Sequence, residues 1–156
     1  MKINILCVGN IKEDFYTQAC NEYLKRLKKF HNVEIFEVAE EKLCKNPSQK
    51  DIEKVKIEET KRLEKLIKGH LVLLDVNGKS YSSEDFSEKI QKLQNTTSII
   101  TFVIGGSFGV SDDMKNKSQD KLSFSKFTFP HQLMRVVLLE QLYRASTIAN
   151  NITYHK

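Results

Sequence analysis

The sequence predicts an α/β fold in which one parallel sheet is layered between helices. Two runs carry that expectation: LVLLDV at 71–76 and SIITFVIGG at 98–106, both almost unbroken in apolar and β-branched residues. A strand open to water on one face alternates, whereas a strand covered on both faces need not. Between them Ser82-Ser83-Glu84-Asp85 opens a helical pattern with Phe86, Ile90 and Leu93 on one side. Strand, helix, strand in that order makes a right-handed parallel crossover.

The other elements follow along the chain. Residues 2–8 read as a strand bounded by Gly9. Phe15, Tyr16, Ala19, Cys20, Tyr23, Leu24 and Leu27 recur at helical spacing. Residues 33–38 give a second strand. After Asn46-Pro47, a charged segment over about 51–68 carries a narrow apolar stripe, Ile52, Val55, Leu63, Leu66 and Ile67, as a surface helix does; Gly69 is its expected stop. The final helix, about 132–149, is apolar around most of its circumference. Such a helix needs cover on all sides, one face from the sheet and another from a second copy of the chain. Glu140 and Arg144, four apart in the favourable order, make a plain intrahelical pair.

At 156 residues, with 40% hydrophobic and 29% charged, one globular domain over 1–156 is expected and disorder is excluded. No run is long enough to span a membrane. The first residues lack the length and cleavage pattern of a signal peptide. Cys7, Cys20 and Cys44 show no metal or redox spacing, which points to a reducing cytoplasm. The net charge is +5, a mild bias toward polyanions; Lys121, Lys126, Arg135, Arg144, His155 and Lys156 make the last part basic.

In an open parallel sheet, ligands gather at the carboxyl ends of the strands. Three candidates lie there. The first is the end of LVLLDV, with Leu74, Asp75 and Gly78; the second is GGSFG, with Gly105, Gly106 and Gly109. Adjacent glycines allow a cofactor close approach to backbone, although on spacing alone a tight strand-to-helix turn, with Asp112 or Asp113 in the first turn, is the plainer explanation. The dinucleotide fingerprint, which needs Gly-x-Gly-x-x-Gly opening a helix after the first strand, is missing, as is a P-loop. The third candidate is KLSFSKFTFPHQLMR (121–135), where Leu122 and Phe124 alternate with polar neighbours before the phase slips to Phe127 and Phe129. A one-residue slip sends later side chains to the other face.

VIGGSFG (103–109), LSFSKFTFPHQLMRVVLLEQLYRA (122–145) and the terminal TYHK, behind MKINILCVG, resemble the RlmH family from first residue to last. These are SPOUT-superfamily methyltransferases of 23S ribosomal RNA. The resemblance implies a single-domain SPOUT fold with a C-terminal trefoil knot, S-adenosylmethionine as donor, a homodimer, and methylation of N3 of pseudouridine 1915 in the assembled ribosome. It also implies that Leu74, Gly105, Phe124, Ser125, Lys126, Phe127, Thr128 and Phe129 line the cofactor site. For Phe127 and Phe129 simple core packing competes with that role.

Methyl transfer from a sulfonium needs no metal. The acceptor is an imide nitrogen bearing a proton, so a proton acceptor is required, and histidine suits neutral pH. His31 and His70 flank surface elements and are expected to be solvated, and His131 to fill a cap position. Chain ends fray, but the family resemblance implies that Tyr154 and His155 stand near the target base, with Arg144 steadying a phosphate or the tail. Lys156 replaces an arginine of some relatives, losing bidentate phosphate contact while keeping charge. A non-enzymatic RNA-binding module and a nucleotide-dependent oxidoreductase are the rivals. The first explains the basic C-terminal part but not the apolar loop beside a glycine pair; the second explains the layers but wants an early glycine fingerprint, which Val8-Gly9-Asn10 does not supply.

Overall fold

The computed structural model describes residues 1–156. The elements run β1 (Lys2–Val8), α1 (Asp14–Leu27), β2 (Asn32–Val38), α2 (Gln49–Glu64), β3 (His70–Lys79), α3 (Ser83–Gln94), β4 (Ile99–Ile104), α4 (Asp112–Lys117), β5 (Asp120–Leu122) and α5 (His131–Ala149). The five strands are all parallel, in the order β2-β1-β4-β3-β5. No helix is long and apolar enough to cross a membrane.

Side-chain parity divides the core in two, as a pleated sheet requires. Ile3, Ile5, Cys7, Val72, Ile100, Phe102 and Ile104 face α1, α3 and α5. Leu6, Val8, Leu71, Leu73 and Val103 face Leu63 of α2 and Met114 of α4. Both faces of β4 and of Leu71–Leu73 in β3 are therefore dry, which is why those runs do not alternate.

Local signals fix the helix starts. The hydroxyl of Ser48 accepts the Asp51 N–H while the Asp51 carboxylate accepts the Ser48 N–H, a complete capping box. Ser82 and Ser111 cap α3 and α4 in the same way, accepting from Asp85 and Met114. Helix α2 ends at Glu64, short of the expected 68. Residues 65–69 instead turn the chain into β3, with Lys68 bonded to the Thr101 hydroxyl. Gly69, at φ +67, serves that turn rather than the helix end.

Helix α5 lies beside α1 and α3 above β4, so neighbouring helices supply most of its cover. Its buried positions include Arg135, Leu138, Leu139, Leu142 and Ala145, while Leu133, Val137 and Ile148 stay half-buried. Two histidines differ from expectation. His31 is buried, 3.1 Å from the Ser146 hydroxyl. His70 is held 2.5 Å from Asp120.

Candidate active site

Strand β3 outruns its apolar sequence by three residues, to Lys79, and both Leu74 and Lys79 pair with Leu122 across a register shift. Strand β5 stops at Leu122, and residues 123–130 form neither strand nor helix. Two contacts hold the departure: Ser123 donates its N–H to the Lys79 carbonyl at 3.0 Å and its hydroxyl to the Val76 carbonyl at 3.1 Å. The chain then sweeps past the ends of β3 and β4 before Pro130 admits it to α5. Between these walls lies a cavity of about 740 Å³, within the usual size of a small-molecule site.

Leu74, Gly105, Phe124, Ser125, Phe127, Thr128 and Phe129 line this cavity; Lys126 does not. Phe124 is anchored edge-on against Phe86 of α3, with centroids 6.5 Å apart. Phe127 is 77% exposed, its N–H held by the Ser125 hydroxyl at 3.1 Å. The phase slip at 124–127 thus separates an anchored ring from a free one.

Sequence reasoning missed several lining residues. Val76 closes the apolar run of β3, Asn77 comes from its overrun, Lys115 from α4, and His131 and Met134 from α5. The overrun depends on pairing with β5 and leaves no apolar signal. His131 is the first residue of α5, and its predecessor Pro130 occupies the cap position, so the histidine is left facing the cavity. Its Nε2 stands 3.8 Å from Glu40 Oε1.

Gly106 turns the chain at the end of β4. Its carbonyl accepts the Gly109 N–H at 2.9 Å, and Gly109 adopts φ +78, a region that favours glycine. Behind Gly106 stands Glu59, 5% exposed. One of its oxygens accepts the Glu41 N–H at 2.9 Å and the other has no partner. Burial, reinforced by Glu40 and Glu41 and opposed by the Glu41 N–H and Arg62, pushes this carboxyl above its ordinary pKa.

Arg144, Tyr154 and His155 come together, but away from the cavity lining. The tail folds back onto α5: Tyr154 meets Tyr143 edge-on at 4.8 Å, beneath the Arg144 guanidinium at 4.8 Å. Glu140 Oε1 accepts from Arg144 Nε and from the Tyr154 hydroxyl, both at 3.1 Å. His155 Nδ1 lies 3.3 Å from Arg144 Nη1, and its Nε2 lies 2.8 Å from Glu84. The guanidinium can only donate, which assigns the imidazole proton to Nε2. Glu84 is held below the usual carboxylate range, first by its own backbone N–H and then by His155. Burial, then Tyr23 and Glu140, pushes the Tyr154 phenol upward.

Over residues 1–155 the chain matches the family described as "Predicted SPOUT methyltransferase". It belongs to the SPOUT methyltransferase family. The ribosomal RNA large subunit methyltransferase H of Clostridium botulinum (strain Kyoto / Type A2) is 48% identical over 159 residues, covering 100% of both chains. A Methanococcus maripaludis (strain C5 / ATCC BAA-1333) protein, carrying the same name in provisional form, is 47% identical over 161 residues with the same coverage. Among solved structures, the chain is similar to a probable methylase family protein from Haemophilus influenzae Rd KW20. That match has a TM-score of 0.49 and 9% identity, over 96% of this chain and 66% of that one. The family assignment rests on the sequence matches, and the five-stranded parallel sheet agrees with a SPOUT fold.

Proposed function

We propose that this SPOUT methyltransferase moves a methyl group from S-adenosylmethionine to N3 of pseudouridine 1915 in 23S ribosomal RNA, acting on the assembled ribosome in the cytoplasm. The observation that carries the reading is the cavity where the irregular 123–130 segment crosses the carboxyl ends of β3 and β4. The names of the full-length relatives supply the class of RNA.

The residues present fit such a donor. The cavity is large enough for a nucleoside with an amino-acid arm, and its walls mix the rings of Phe124, Phe127 and Phe129 with main chain at Gly105 and Gly106. Leu74 and the rings would enclose an adenine, and backbone groups of the lining residues Phe124, Ser125, Phe127, Thr128 and Phe129 would be the ones to read its edges. When bound, the donor supplies a methyl group already activated as a sulfonium. The chain contributes in-line positioning and exclusion of water. We take LSFSKFTFP (122–130) to be the crossing of a C-terminal trefoil knot, the threading that the family resemblance implies.

The acceptor side is completed by Arg144, Tyr154 and His155. Since the tail packs on α5 rather than over its own cavity, we infer a homodimer in which the tail of one protomer serves the cavity of the other. The half-buried Leu133, Val137 and Ile148 on α5 supply apolar surface for that contact. In this arrangement Arg144 releases His155 to grip phosphate, and the freed Nδ1 of His155 takes the N3 proton. Phosphate contacts make RNA affinity salt-sensitive.

The test is mass-spectrometric mapping of ribosomal RNA from a deletion strain. The missing methyl should appear at one large-subunit pseudouridine and return in vitro with purified protein and donor. Unchanged RNA in the deletion strain rules the assignment out. Mixed dimers, one protomer His155→Ala and the other impaired in its cavity, should recover about half of the wild-type activity if the tail acts across the dimer.

A further inference from the structure

Arg135 heads the fully buried side chains by volume, at 0% exposure. Its Nη1 donates to Glu37 Oε1 of β2, and its Nη2 donates to the carbonyls of Val8 at 3.2 Å and Gly9 at 2.5 Å. The same Glu37 oxygen accepts the Ile11 N–H at 3.2 Å, and Gln132 Oε1 accepts the Lys12 N–H at 2.9 Å. The first two turns of α5 are thereby bolted to the carboxyl edge of β1 and to the loop after it.

Those two turns are also a wall of the cavity, through His131 and Met134, directly after Phe129 and Pro130. The wall has few ties of its own. Helix α5 has no side-chain cap bond, and within the loop Phe127 donates its N–H only locally, to the Ser125 hydroxyl. The wall's placement rests on Arg135, on the Gln132–Lys12 contact and on the packing of Met134 against the main core. A buried pair of this kind adds little net stability, because desolvation offsets the attraction, but its fork-shaped hydrogen bonding fixes geometry.

We propose that Arg135 and Glu37 are positioning residues for the methyl donor: their buried pair fixes α5 against β1, shapes the cavity wall, and so sets donor affinity. This rests on reading the cavity as the donor site. Neither side chain touches the donor, and the transfer step itself does not depend on them.

The experiment compares wild type with Arg135→Met combined with Glu37→Leu, titrating S-adenosylmethionine by calorimetry and following ribosome methylation. Apolar replacements of similar volume commonly preserve stability where a buried pair is removed whole. The expected result is a folded protein with donor Kd and KM raised about tenfold or more and kcat at saturating donor within about twofold. Arg135→Lys, which keeps charge but cannot reach all the acceptors, should fall between. A folded double variant with unchanged donor affinity overturns the proposal. If the double variant does not fold, Glu37→Gln decides: it keeps an oxygen for the Ile11 N–H and loses the charge. A donor KM raised about threefold supports the proposal, and an unchanged one overturns it. A wild type that takes up no donor removes the donor reading and this inference together, whereas equal binding by wild type and variant removes this inference alone.

Discussion

Glu59 Oε2 faces Gly106 so closely that a Cβ added to the glycine would lie 2.6 Å from it. A side chain at the second glycine of GGSFG is therefore opposed by the Glu59 carboxylate from α2, which would have to shift to admit it. Gly106→Ala is expected to displace the cavity wall and weaken donor binding about tenfold. Combining it with Glu59→Ala removes the clash, leaving Val8 Cγ1 at 3.2 Å as the nearest other neighbour. Donor affinity should then recover in part, giving a non-additive double-mutant cycle. Additive losses would show that Glu59 is not what excludes a side chain there.

His31 provides a pH signature. Burial first, then the N-terminal ammonium, holds its imidazole down at about 4, while its Nδ1 has no partner. The unfolded chain takes up this proton near the ordinary 6.5 and the folded chain does not. Stability from this group is thus complete above about pH 6.5 and declines as pH falls toward about 4, by at most about 3 kcal/mol. Urea unfolding across that window should show a shallower decline for His31→Gln than for wild type. Parallel declines would mean that the imidazole already titrates normally in the fold.

The layered fold was legible because its cause is local to the strands. Leu71–Leu73 and Ile100–Ile104 are covered on both faces, and continuous apolarity is what double cover looks like in a sequence. The helix starts were legible where a hydroxyl preceded an acid, as at Ser82. The end of α2 was not, since Leu66 and Ile67 still pack against the core after the helix has closed. The broken alternation at 122–129 marked where the cavity wall leaves the sheet. The pairing that extends β3 to Lys79, the carboxyl of Glu59 behind Gly106 and the reach of Arg135 to β1 join residues about 40 to 130 positions apart. No window along the chain contains both ends of such a contact. The burial of His31 by Ser146 was hidden for the same reason.

Glu140 is the shared acceptor for Arg144 and Tyr154. Glu140→Ala should free the tail, and the reading is the NMR ring-current shift of Tyr154 against Tyr143, which collapses toward the random-coil value. Donor affinity should stay unchanged, because none of these residues lines the cavity. Ribosome methylation should fall, as a loosened tail pays ordering entropy when it meets RNA. Full methylation with a demonstrably mobile tail would remove Arg144, Tyr154 and His155 from the acceptor side.

Phe124 and Phe127, three residues apart in one loop, should separate stability from binding. Phe124 is anchored on Phe86 and packs against the main core, so Phe124→Ala is expected to cost about 2–3 kcal/mol of stability. Phe127, at 77% exposure, gives the folded chain little burial to lose, and Phe127→Ala should change stability by less than about 0.5 kcal/mol. Its ring nonetheless edges the cavity, where a nucleoside would bury it. Donor affinity should therefore fall about fivefold to tenfold in Phe127→Ala, in line with stacking worth about 1–3 kcal/mol per base. Thermal melting and donor titration on the two variants decide the matter. If Phe127→Ala melts and binds like wild type, the ring serves neither the fold nor the donor, and the nucleoside must lie deeper, against Phe124 and Phe129.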